Sequence, residues 1–162
     1  MVPTTAKIAV KNFWPAIVSL LVFKIFLSRV FHLLADFFNA KNISAPNDFT
    51  IIETIIAVII VAPIIETLIF QFLLQELLIR ILTKIRLKSV FSSTLVISSL
   101  LFSLTHFGSF LHIIISLPSG LIYGGVYMLA KTKFQSMFLA IITTSIIHML
   151  YNLSEFLIYD NY

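Results

Sequence analysis

The chain has no cysteine, which excludes disulfides, haem-attachment motifs and thiolate metal sites. It has few charges: Asp, Glu, Lys and Arg make up 11% of its 162 residues, against about 25% in soluble domains. It has four glycines and no low-complexity linker, so nothing marks a flexible multidomain protein. The net charge of +4 is not gathered into a basic cluster interleaved with aromatics, so nucleic acid is not the partner. There is no H-E-x-x-H zinc motif and no G-x-S-x-G nucleophile turn. Lys24 and Arg29 break the first apolar run, and no small-residue cleavage site follows, so the N-terminus does not read as a signal peptide.

What is present is apolar surface: 59% of the residues are hydrophobic and 16 are Phe. This is the composition of an integral membrane protein, in lipid and with no room for a separate soluble domain. Five stretches are long enough to cross about 30 Å of hydrocarbon, which takes about 20 helical residues. They run over Phe13–Phe38, Phe49–Leu78, Ser89–Phe107, Phe110–Leu129 and Phe134–Tyr159, joined by an Asn/Ser/Pro-bearing Asn39–Asp48 loop and a Gly108–Ser109 turn. They lack the alternation of barrel strands, and only helices otherwise satisfy backbone groups in lipid. The expected fold is an all-α, polytopic membrane helix bundle of about five transmembrane helices. Residues 1–48 form a tail, first helix and loop, and residues 49–162 form a four-helix core.

The basic residues alternate between connections. Lys7 and Lys11, then Arg80, Lys84, Arg86 and Lys88, then Lys131 and Lys133 fall on one side, whereas the other side has Lys41 and the acidic Glu155 and Asp160. The positive-inside rule puts the N-terminus in the cytoplasm and the C-terminus outside. Inside the first span, Lys24, Arg29 and His32 read as snorkelling or as paired with Glu53, Glu76 or Asp36, the alternative being a substrate-facing or gating role. His112 reads as interhelical or interfacial. Gly120-x-x-x-Gly124 reads as close packing within the bundle rather than dimerisation, and the oligomeric state is left open.

Three spans each carry polar groups that lipid rejects. The second has Glu66 in APIIETLIFQ, one turn after Pro63, which kinks the helix and frees the carbonyl four residues back, that of Ile59, beside Glu66. Thr67 and Gln71 lie four residues apart on an adjoining face. The third has Phe102 and His106, and the fifth has His148 and Asn152 with Thr144 a turn earlier. A carboxylate, two imidazoles and a carboxamide converging in a bundle suffice to hydrolyse an amide: Glu66 takes a proton from water, an imidazole orients that water, and His plus Asn donate to the oxyanion. Glu66, His106 and His148 are also a candidate three-ligand zinc set. No close His pair supports zinc, so no cofactor is favoured. Other functions for the same residues are a non-catalytic immunity or peptide-binding scaffold, and a small transporter. The transporter needs a polar path that the fourth span does not visibly supply.

The order Pro-x-x-Glu-x-x-x-Phe, Phe-x-x-x-His, His-x-x-x-Asn on successive spans, here Pro63/Glu66/Phe70, Phe102/His106 and His148/Asn152, resembles the CAAX protease and bacteriocin-processing (CPBP, or Abi) intramembrane endopeptidases. The resemblance covers Thr50–Asn152. It implies intramembrane peptide-bond hydrolysis, with Glu66 and His106 activating water and His148 and Asn152 stabilising the oxyanion. Members have been described both as metalloproteases and as glutamate-dependent enzymes. The family's usual Glu-Glu pair followed by Arg is here Glu66-Thr67 with Gln71. A Thr67–Gln71 hydrogen bond is the expected neutral replacement, in an active variant. A single span precedes the core, a minimal form. The implied substrate is a membrane-associated peptide or protein. In a bacterial plasma membrane, peptide maturation or bacteriocin immunity is favoured over CAAX trimming.

Overall fold

The computed structural model describes residues 12–37, 50–106 and 110–159, and these form five helices. They are α1 (Phe13–Phe37), α2 (Ile51–Lys84), α3 (Val90–Leu104), α4 (Phe110–Phe134) and α5 (Met137–Tyr159). The Asn39–Asp48 loop, the Gly108–Ser109 turn, Lys7, Lys11, Lys41 and Asp160 lie outside the described residues, as do the side chains of His32, Asp36 and His112. The protein is an all-α membrane bundle. Four helices are long and apolar enough to cross a bilayer, and α3, with 15 residues, is shorter. At 1.5 Å per residue α3 spans only about 22 Å, less than the roughly 30 Å of hydrocarbon that a full crossing takes.

α4 is the central element, with α3, α5 and α1 packed on it. Its Tyr123, Val126, Tyr127 and Ala130 are almost wholly buried together with Phe13 and Ile17 of α1 and Phe102 of α3. Trp14, Phe26, Ile51, Leu73 and Phe138 stand on the outside, an apolar exterior that suits lipid. The α3–α4 contact depends on Gly120. A Cβ there would stand 2.9 Å from the Cα of Ser99, a backbone atom that no rotamer change moves away. Gly120→Val therefore separates α3 from α4 and lowers stability by about 1–3 kcal/mol, measurable as a lower unfolding midpoint in detergent. A Cβ added at Gly124 would come within 2.5 Å of the Gln75 side chain and 2.7 Å of the Leu95 side chain, so the Gly120-x-x-x-Gly124 stripe packs within the bundle.

α2 begins with a capping box: Thr50 Oγ1 accepts from the Glu53 amide, and Glu53 accepts from the Thr50 amide at 2.7 Å. It is not uniform. Ile55–Val61 and Thr67–Leu74 are π-wound, and they bracket the regular turn Ala62–Glu66. This corrects the site of the carbonyl freed by Pro63. With i→i+5 bonding the acceptor left without a donor is five residues back, Val58, rather than Ile59.

The intramembrane charges also find partners other than those expected. Glu76 accepts from Tyr127 Oη at 3.0 Å and from Lys131 Nζ, Glu53 is taken by Thr50, and Arg29 lies 3.6 Å from Glu155. Pairing with Glu53 or Glu76 is thus unavailable to α1, because α1 runs beside α4 and α5 and meets the acid of α5 instead.

Candidate active site

The three motifs meet at one cavity of about 260 Å³. Glu66 enters from α2 on the regular turn between its two π-wound segments. His148 and Asn152 come from α5, one turn apart. His106 lies just past the end of α3, where the chain tightens: the Thr105 amide donates to Phe102 O and the His106 amide to Ser103 O. His106 Nδ1 is 3.0 Å from Phe102 O. A carbonyl only accepts, so in the neutral imidazole the proton sits on Nδ1 and Nε2 keeps its lone pair.

His148 Nε2 faces Glu66 Oε2 at 3.7 Å, longer than a direct hydrogen bond. The His148 ring lies flat on Tyr123, with centroids 3.9 Å apart at 25°. Phe70 and Phe102 meet edge to face at 5.4 Å, and Phe102 leans on His106 at 4.6 Å, so both motif phenylalanines brace the imidazole from the apolar side. Pro63 is buried in α2.

Asn152 has a partner the sequence did not indicate. Its Nδ2 donates to Val58 O at 2.9 Å, the carbonyl that the π winding and Pro63 leave open. One amide hydrogen thus ties α5 to α2 beside Glu66, and the other remains for the cavity.

Thr67 and Gln71 are fully buried and do not make the hydrogen bond expected between them; Thr67 Oγ1 and Gln71 Oε1 have no partner among the described residues. In an i→i+5 winding a turn is longer than four residues, so an i, i+4 pair no longer stacks. Glu66 likewise makes no pair with Lys24 or Arg29; its ionic neighbour is His148.

Three cavity residues of α4 escaped the sequence reading: Ser116, Ser119 and Tyr123. Their spacing of three and then four is the signal that would have found them, and it corrects the view that the fourth span carries no polar lining. Lys24 of α1 also lines the cavity rather than snorkelling: it is 5% exposed, its Nζ 3.1 Å from the Tyr151 ring centroid.

A zinc ion needs three side chains aimed at one point. No group of three His, Asp or Glu among the described residues is arranged that way, and Glu66, His106 and His148 as placed do not fit a zinc centre.

Residues 48–154 match the family model of type II CAAX prenyl endopeptidases, Rce1-like. The chain belongs to this family. The Rce1-like match spans α2, α3, α4 and most of α5, every helix that contributes a motif residue, and omits α1. It agrees with the resemblance carried by Glu66, His106, His148 and Asn152. The protein is therefore an integral membrane protein of a protease family, with lipid around it and a peptide as the general class of substrate. No curated protein and no solved structure matches the chain.

Proposed function

We propose that the protein hydrolyses a peptide bond of a membrane-associated peptide or protein within the bilayer, without a metal. The observation that carries this is the meeting of Glu66, His106 and His148 in one cavity inside the family-matched helices. The attacking water sits in the cavity of about 260 Å³ that Glu66, His106 and His148 line, beside the Glu66 carboxylate. The Glu66 carboxylate takes its proton as the oxygen attacks the scissile carbonyl carbon. His106 Nε2, an acceptor while Nδ1 is held by Phe102 O, fixes the orientation of that water.

The tetrahedral oxyanion receives hydrogen bonds from His148 and from the second amide hydrogen of Asn152. Collapse breaks the C–N bond, and Glu66 returns its proton to the leaving nitrogen. With the N-terminus cytoplasmic, as the basic residues suggest, His106 lies toward the outer side, and substrate enters laterally or from there.

The test is cleavage by the purified, lipid-reconstituted protein of a prenylated CAAX-type peptide and of membrane-anchored peptides, with products identified by mass spectrometry. Cleavage is expected to persist within about twofold after a zinc chelator, since no step uses a metal. Loss of activity that added zinc restores overturns the metal-free mechanism. Absence of cleavage across the peptides overturns the endopeptidase reading.

A further inference from the structure

We propose that the groove between α2 and the start of α5 binds one anionic phospholipid, with its phosphate on Arg80 and an acyl chain on the apolar wall beneath. The groove encloses about 190 Å³ and is lined by Phe72, Leu73, Glu76, Leu77 and Arg80 of α2 and by Met137 of α5. It shares no residue with the cavity that holds Glu66. Arg80 lies about 20 Å further along α2 than Glu66, at 1.5 Å per residue. The assignment does not depend on the endopeptidase reading.

On a helix surface Arg80 is placed to pair with Glu76, four residues before it. Glu76 instead turns to α4, where it accepts from Tyr127 Oη at 3.0 Å and from Lys131 Nζ, so its charge is already matched. Among the described residues the Arg80 guanidinium has no ion pair or hydrogen bond. It stands exposed one turn before α2 ends at Lys84, on the end of the bundle where Lys84, Arg86, Lys88 and Lys133 are also exposed. That surplus of positive charge draws anionic headgroups to this face. The planar guanidinium matches two phosphate oxygens at once. A zwitterionic headgroup brings its own cation to compete with Arg80, so the net-anionic lipid is the one selected.

The groove also supplies a seat for the chain. Leu73, Leu77 and Arg80 follow one another at i, i+4 and i+7 and share one exposed stripe. The two leucines are more than half exposed and Met137 nearly so, which sets an open apolar wall about 10 Å long below the guanidinium. The two helices that form it run antiparallel and are joined further along, where His148 faces Glu66 and Asn152 donates to Val58 O. A lipid with its phosphate on Arg80 and a chain against Met137 joins α2 to α5 at the opposite end from Asn152.

The experiment titrates the full wild-type chain in detergent with dioleoyl phosphatidylglycerol or dioleoyl phosphatidylcholine and counts bound lipids by native mass spectrometry. The first phosphatidylglycerol is expected to bind at least about fivefold more tightly than the first phosphatidylcholine. Arg80→Gln should bring that preference below about twofold. Arg86→Gln, which removes a cation of the same connection outside the groove, should leave it intact. Met137→Trp, which fills the groove and keeps Arg80, should weaken the first phosphatidylglycerol. All three side chains are exposed, so the variants are expected to fold. Equal binding of the two lipids, an equal loss in Arg80→Gln and Arg86→Gln, or unchanged binding in Met137→Trp overturns the assignment. So does displacement of the lipid by millimolar glycerol 3-phosphate, because a free phosphate would then suffice. None of these readouts uses cleavage, so a protein that cuts nothing leaves the lipid site standing.

Discussion

Glu66→Gln lowers kcat/KM by about a thousandfold or more while leaving the protein folded. Gln has the shape of Glu and keeps its hydrogen-bonding oxygen, but it cannot take a proton from water, and a positioned general base contributes about 10²- to 10⁴-fold. The loss falls on kcat, because the removed interaction develops only as the water attacks. Stability should hold or rise, since the substitution removes a charge from a half-buried site within an apolar helix. The measurement compares cells expressing the two proteins at matched membrane levels and reads new peptide termini by mass spectrometry. Termini that appear only with Glu66 identify the substrate directly. A non-catalytic immunity or peptide-binding scaffold, by contrast, tolerates the change, so matching termini profiles from two folded proteins would falsify the hydrolytic role.

Asn152→Leu destabilises the protein by about 0.5–1.5 kcal/mol, the net worth of one hydrogen bond, and reduces activity because α5 is no longer tied to α2 beside Glu66. The penalty has a specific origin. Val58 O is open because the residue five along is Pro63, which has no amide hydrogen to give. Pro63→Ala restores that hydrogen within the helix. In the Pro63→Ala background Asn152→Leu should therefore cost less, by about 0.5–1 kcal/mol, a coupling that a double-mutant cycle of unfolding midpoints in detergent resolves. An identical penalty in both backgrounds disconnects Asn152 from the proline. Activity adds a second readout: Pro63→Ala/Asn152→Leu recovers stability but not full turnover, because the second amide hydrogen of Asn152 is still missing from the oxyanion.

Much of the site was legible because its signals are local. A carboxylate one turn after a proline, and polar side chains at i, i+4 in apolar runs, announce themselves through the cost of placing them in lipid. That logic found Glu66, His106, His148 and Asn152 but passed over Tyr123, which is ordinary in a membrane helix until the fold lays it on His148. It also misread Lys24, since snorkelling is the cheaper fate of a lysine unless neighbouring helices enclose it, as α4 and α5 do here.

The sequence by itself determined that this is a helical membrane protein, how its helices divide the chain, and which side chains lipid would force together. Those follow from hydropathy, periodicity and the expense of buried charge, all properties of short windows. Only the tertiary structure decided which carbonyl Pro63 leaves open, that Asn152 closes it across 94 residues of chain, and that α1 delivers an ammonium to the cavity. The π winding that sets the first of these changes the partner of every amide it includes without changing a letter of the sequence. The other two are contacts between helices distant in the chain, whose relative rotation is fixed by close packing such as Gly120 against Ser99 rather than by any local pattern.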